Sequence, residues 1–174
     1  MIDAAPTVPL SALGLTPQGG REVEVSGLSA DSRKTRPGHL FAALPGVHWH
    51  GADFIQYALR MGAAAVLTDR EGVALARDVL DDNPGVALVV AEDPRAALAM
   101  AAALFYGRQP QTMAAVTGTN GKTSVAAFTR QIWHLLGFEA VNIGTTGVEG
   151  SYSAPSAHTT PEPITLHELL ADMA

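Results

Sequence analysis

MAAVTGTNGKTSVAAF, residues 113–128, decides how the chain is read. An apolar run over 113–118 reads as a strand and enters a turn carrying Gly118 and Gly121. The pattern then changes to helical spacing over 122–136, where Val125, Phe128, Ile132 and Leu135 share a face and Gly137 supplies the stop. A strand that passes through glycines into a helix start is an anion site, because the first helical N–H groups lack partners and carry partial positive charge. The two glycines let the backbone close around a phosphate. Lys122 is placed to reach the β- and γ-phosphates of a nucleotide, and Thr123 can offer its hydroxyl to Mg2+. The usual spacing G-x-x-x-x-G-K-[ST] would put a glycine at position 116, where this chain has Val116. Taken alone, the stretch also admits a glycine hairpin with an incidental exposed lysine.

Outward from that turn, the chain reads as alternating strands and helices, hence an α/β fold with helical layers on a sheet. Residues 22–31 (EVEVSGLSAD) alternate and then turn polar, as a strand running into a loop does, and HLFAAL (39–44) reads as a more buried strand. In GADFIQYALRMG, residues Phe54, Ile55, Ala58 and Leu59 repeat at helical spacing before Gly62. AAAVLTD (63–69) and GVALVVAED (85–93) are continuous apolar runs, the pattern of strands covered on both faces. Asp93 as N-cap and Pro94 at the first helical position open an alanine-rich helix with a stripe of Leu98, Ala101, Ala102 and Phe105. The break at Gly107-Arg108-Gln109-Pro110 suggests a domain over 1–110 and the start of a second over 111–174. In the second, 139–145 reads as the next strand and PITLHELLADMA as a helix with Leu166, Leu169 and Leu170 facing inward. A second domain this short closes a sheet poorly, so the chain is expected to be cut short.

Composition removes several classes. The chain has 174 residues, 47% of them hydrophobic, and a formal charge of -6 without basic runs, which argues against nucleic acid as the principal partner. It has no cysteine, so neither a disulfide framework nor a thiolate metal site is available. The start lacks a basic segment followed by an apolar core, and no apolar run reaches the roughly 20 residues of a membrane span; a cytoplasmic protein is expected. His48, His50, Trp49 and His158 have no acidic residue at ligand spacing and read as exposed loop groups rather than a metal site.

The loop form TGTNGKT resembles that of the Mur ligases and the related folylpolyglutamate synthases. Two further stretches carry the likeness, LSADSRKTRPGHLFAALPG (28–46) and SAHTTPEPITLHELL (156–170), so that it extends over 22–174 in the family's order. The resemblance implies an N-terminal nucleotide-sugar-binding α/β domain, followed by the first part of a P-loop ATP-binding α/β domain. It also implies an ATP-dependent amide ligase of peptidoglycan precursor synthesis that uses Mg2+. The substrate of the tripeptide-forming members would be UDP-N-acetylmuramoyl-L-alanyl-D-glutamate, whose glutamyl carboxylate is activated as an acyl phosphate and attacked by a diamino acid.

Carried over residue by residue, Gly118, Thr119, Asn120, Gly121, Lys122, Thr123 and Ser124 would bind ATP. Lys122 would be the catalytic clamp and Thr123 the metal contact. Ala30, Ser32, Val47, His48 and Trp49 would hold the UDP end, and His158, Thr159 and Thr160 the sugar-peptide end. The bland account of the Asp31-Ser32-Arg33 stretch is a polar turn with Arg33 in surface pairing. The acidic Mg2+ ligand, the modified lysine and the amino-acid-selecting domain would lie beyond Ala174, so these residues alone are expected to bind the UDP-sugar weakly at most and to turn nothing over. Two other readings stand: a P-loop enzyme of another pathway, in which the 28–46 and 156–170 stretches are idle, and a non-catalytic nucleotide-sugar-binding module.

Overall fold

A computed structural model describes residues 7–154 and 161–174, in two compact units that divide between Gly107 and Arg108. In the first unit, β1 (Val8–Pro9) pairs antiparallel with β2 (Glu24–Val25). A four-stranded sheet follows, made of β3 (Gly27–Ser29), β4 (His39–Ala42), β5 (Ala65–Thr68) and β6 (Ala87–Val90). Its neighbours are all parallel and lie in chain order, with Leu28 opposite Leu40, Leu40 opposite Ala65, and Ala65 opposite Ala87. The single strand expected over 22–31 is thus two, because Val25 pairs with Val8 whereas Gly27 begins the parallel sheet.

Helix α1 (Ile55–Arg60) lies between β4 and β5, α2 (Arg70–Leu75) and α3 (Arg77–Asp81) lie between β5 and β6, and α4 (Pro94–Tyr106) follows β6. Alternation along the strands sends Phe41 and Val66 to one face, where they join Ile55, Ala58 and Ala76. Leu40 and Leu67 turn the other way and are fully buried. Helix α4 packs on β5 and on a 3-10 turn at Leu10–Leu13, and Leu98, Ala101, Ala102 and Leu10 are closed to solvent. Each such leucine or isoleucine contributes about 1.5–3 kcal/mol through burial. The expected cap of α4 is present: the Asp93 carboxylate accepts from the N–H groups of Arg95 (3.1 Å) and Ala96 (2.9 Å), ahead of Pro94.

The second unit contains α5 (Lys122–Leu135), the antiparallel hairpin β7 (Val141–Gly144) and β8 (Gly147–Gly150), and α6 (Pro163–Asp172). Two expectations need correction. Residues 113–118 form no strand, since a strand exists only through ladder bonds to a neighbour and none reaches this run among the described residues. The α5 stripe does not face a core: Val125, Phe128, Ile132 and Leu135 are 50%, 61%, 55% and 84% exposed. Helix α6 follows expectation, capped by Glu162 and with Leu166, Leu169 and Leu170 half-buried beside buried Ile164.

Candidate functional site

The glycine turn keeps its anion-ready form. Gly121 is the residue before α5, at φ +76, a backbone region that glycine enters without strain, and no side chain caps the helix. The amides of Lys122, Thr123 and Ser124 therefore point out of the helix start without intrahelical partners. A Cβ at Gly121 would meet nothing within 4 Å, so the space in front of the turn is open. The Lys122 ammonium folds back and donates to the carbonyl of Gly118. The Thr123 hydroxyl lies 3.3 Å from that of Thr145, at the β7–β8 turn. Thr119 and Asn120 complete the exposed turn. The arrangement offers a lysine, free amides and hydroxyls around an open cradle, the donor set that fits a polyphosphate. Among the described residues no group of three or more histidine or acidic side chains could hold a metal ion. Thr123 would thus be one oxygen donor to Mg2+ rather than part of a complete site built from the described residues.

In the first unit the parallel topology collects a second set of residues at one sheet edge. β3 and β4 run the same way, so the turn after Ser29 and the loop after Ala42 leave from the same, carboxyl-terminal edge, the usual ligand edge of an open α/β sheet. The first turn is held by Asp31, whose carboxylate caps the 3-10 turn Ser32–Lys34 through the Arg33 N–H (3.0 Å). It also pairs with the Arg33 guanidinium at 2.9 and 2.7 Å. That guanidinium holds the Asp31 carboxyl below the usual carboxylate range. Surface pairing of Arg33, the bland alternative, is thus what the geometry has. Ser32 is half-buried, its hydroxyl without a partner among the described residues, and Ala30 beside it is exposed.

The 46–51 loop is a tight reversal. Pro45 and His50 form an antiparallel bridge, the Gly46 N–H donates to the Trp49 carbonyl (3.1 Å), and the Gly51 N–H to that of Leu44 (2.8 Å). Val47, 94% exposed, Trp49, 72% exposed, and His48 are left at its tip. His50 differs from its expected role as an exposed loop histidine: its side chain is 8% exposed and pinned between the Ala52 N–H and Asp69. The Arg95 guanidinium, from the start of α4, donates to the Pro45 carbonyl at 3.0 Å.

Sequence reading passed over Asp69, Arg95 and Thr145. Their only signal was the position of each just after an apolar strand run or at a helix start. His158, Thr159 and Thr160 lie outside the described residues. No helix among the described residues is long and apolar enough to cross a membrane.

The pattern described as Mur ligase family, catalytic domain, matches residues 24–106, and that described as Mur ligase middle domain matches 116–174. The UDP-N-acetylmuramoyl-L-alanyl-D-glutamate--2,6-diaminopimelate ligase of Brucella melitensis biotype 1 is 49% identical over 161 residues, 92% of this chain and 32% of the relative. A solved structure of a ligase of the same name superposes with a TM-score of 0.73 at 26% identity, over 96% of this chain and 33% of that one. MurF ligase from Thermotoga maritima in complex with ADP superposes at 0.51 and 25% identity, over 80% and 28% of the two chains. The chain thus spans about a third of the length of the relatives it matches. With consecutive family domains matched in order and together covering most of its residues, the chain belongs to the Mur ligase family.

Proposed function

We propose that this chain supplies the UDP-substrate-binding domain (1–110) and the phosphate-gripping start of the ATP-binding domain (111–174) of a peptidoglycan-precursor ligase. The ligase joins 2,6-diaminopimelate to UDP-N-acetylmuramoyl-L-alanyl-D-glutamate. The observation that carries this reading is 49% identity, across both units, to a relative of that name. The same name favours diaminopimelate over lysine, a choice that no residue of this chain decides by its own chemistry.

Division of labour follows from the two clusters. A carboxylate does not react with amines, so it must first be activated by phosphoryl transfer, whose developing charge needs positive groups placed in advance. The uncapped amides at the start of α5 and the Lys122 ammonium supply them, once Lys122 leaves the Gly118 carbonyl. Thr123 would be one ligand of Mg2+, which when bound offsets phosphate charge. Gly118, Thr119, Asn120, Gly121 and Ser124 complete the phosphate cradle. Ala30, Ser32, Val47, His48 and Trp49 hold the UDP end: the Ser32 hydroxyl donates to a phosphate or uracil oxygen, and the exposed indole of Trp49 covers a ring. His158, Thr159 and Thr160 contact the sugar-peptide end.

The reading is tested by calorimetric titration of the chain with UDP-N-acetylmuramoyl-L-alanyl-D-glutamate. Saturable binding that Ser32→Ala weakens about tenfold, the loss of one good hydrogen bond, is expected. Binding unaffected by both Ser32→Ala and Trp49→Ala would remove the assignment of that sheet edge. Saturable binding of ATP with none of the UDP-sugar would favour a P-loop enzyme of another pathway.

A further inference from the structure

The base of the 46–51 loop is fixed more firmly than its exposed tip requires. His50 Nδ1 lies 3.0 Å from the Ala52 nitrogen and accepts its N–H, so in the neutral ring the proton sits on Nε2. Nε2 lies 3.2 Å from Asp69 Oδ1 and donates to it. The same oxygen accepts the Gly72 N–H at 2.7 Å, capping α2. Here the close approach needs a glycine: a Cβ at Gly72 would stand 2.8 Å from His50 Cε1 and 2.0 Å from Thr68 Oγ1. Thr68 in turn donates to the Ala43 carbonyl at 2.9 Å, at the root of the loop.

We propose that His50 and Asp69 are a positioning pair that locks the 46–51 loop to the carboxyl end of β5, so that Val47, His48 and Trp49 are presented to the nucleotide-sugar in one arrangement. The proposal rests on the reading of that loop as the UDP-binding one. Neither residue touches the ligand; both act through the loop. A loop ordered before binding loses less conformational freedom when the ligand arrives, so the lock appears as affinity.

The test uses the 174-residue chain with Trp133→Phe, which leaves Trp49 as its one indole. His50→Asn keeps an acceptor for the Ala52 N–H but cannot reach Asp69. It is expected to lower Trp49 fluorescence anisotropy, raise quenching by acrylamide, and weaken UDP-N-acetylmuramoyl-L-alanyl-D-glutamate about tenfold. Asp69→Ala should do the same, while Asp69→Asn, which keeps Oδ1 as acceptor, should behave as the parent. Unchanged anisotropy and affinity in both His50→Asn and Asp69→Ala would overturn the proposal, as would Asp69→Asn losing as much as Asp69→Ala. Should the variants fail to fold, amide exchange in the parent chain decides. Protection of the Ala52 and Gly72 amides supports the lock, and exchange at the unfolded rate contradicts it. A parent chain that binds no UDP-sugar counts against the proposed function, whereas the anisotropy comparison still judges the lock.

Discussion

Gly51 and Gly121 show how differently one residue type can be required. At Gly51 a Cβ would lie 2.6 Å from the Leu44 nitrogen and 2.7 Å from the Ala43 carbonyl carbon, backbone atoms that cannot swing aside. Gly51→Ala should cost about 1–3 kcal/mol in urea unfolding, as overpacked sites do. At Gly121 the space is open and only φ +76 resists substitution, so Gly121→Ala should cost about 1–2 kcal/mol. On the proposed function its larger effect is on binding: the added methyl would enter the phosphate cradle, and ATP affinity should fall far more than stability. Asp69 contributes to the pH dependence. Burial opposes its ionisation, but the Gly72 N–H and the His50 ring outweigh that and hold the carboxyl below its ordinary value of 3.8. Its stabilising effect is therefore complete above that value and lost as pH falls through the lower folded-state value. Acid unfolding followed by circular dichroism should show a steeper loss below about pH 4 for the parent than for Asp69→Asn.

Among the elements, legibility followed how local the determining forces are. The apolar runs over 63–69 and 85–93 announced β5 and β6 because strands covered on both faces need no alternation. Asp93-Pro94 announced α4 because a cap acts within one turn. Helices α2 and α3, of six and five residues, went unread since neither completes two turns of periodicity. The 3-10 turn that buries Leu10 and Leu13 is shorter still. Residues 113–118 were read as a strand on composition, although a strand is decided by a partner that composition cannot supply. The glycine turn was legible because its chemistry is contiguous; the His50–Asp69 contact was not, because its members are nineteen positions apart and meet only through sheet order. Leu98→Ala, on closed α4, should cost about 3 kcal/mol, which lowers the first unit's melting temperature by about 15 °C. Leu135→Lys, on the exposed face of α5, should change stability by less than about 0.5 kcal/mol in urea unfolding.

For the molecule as a whole, the proposed function assigns the two binding tasks to different units along the chain: nucleotide-sugar to the edge of the parallel sheet, triphosphate to the start of α5. Ser32→Ala should therefore act on UDP-sugar affinity alone, and Lys122→Ala on ATP affinity alone. A phosphate-release assay with both substrates, 2,6-diaminopimelate and Mg2+ should detect no turnover by these 174 residues, which span about a third of their relatives. On the proposed function, backbone amides leading into α5 grip the phosphate tail of ATP. This grip is tested most directly by titrating ATP and Mg2+ into the isotope-labelled chain and following each amide by NMR. The amides of Asn120, Gly121, Lys122, Thr123 and Ser124 should shift together and saturate, with Lys122→Ala weakening the titration about tenfold or more. Amides in that turn that stay in place up to millimolar ATP would contradict it.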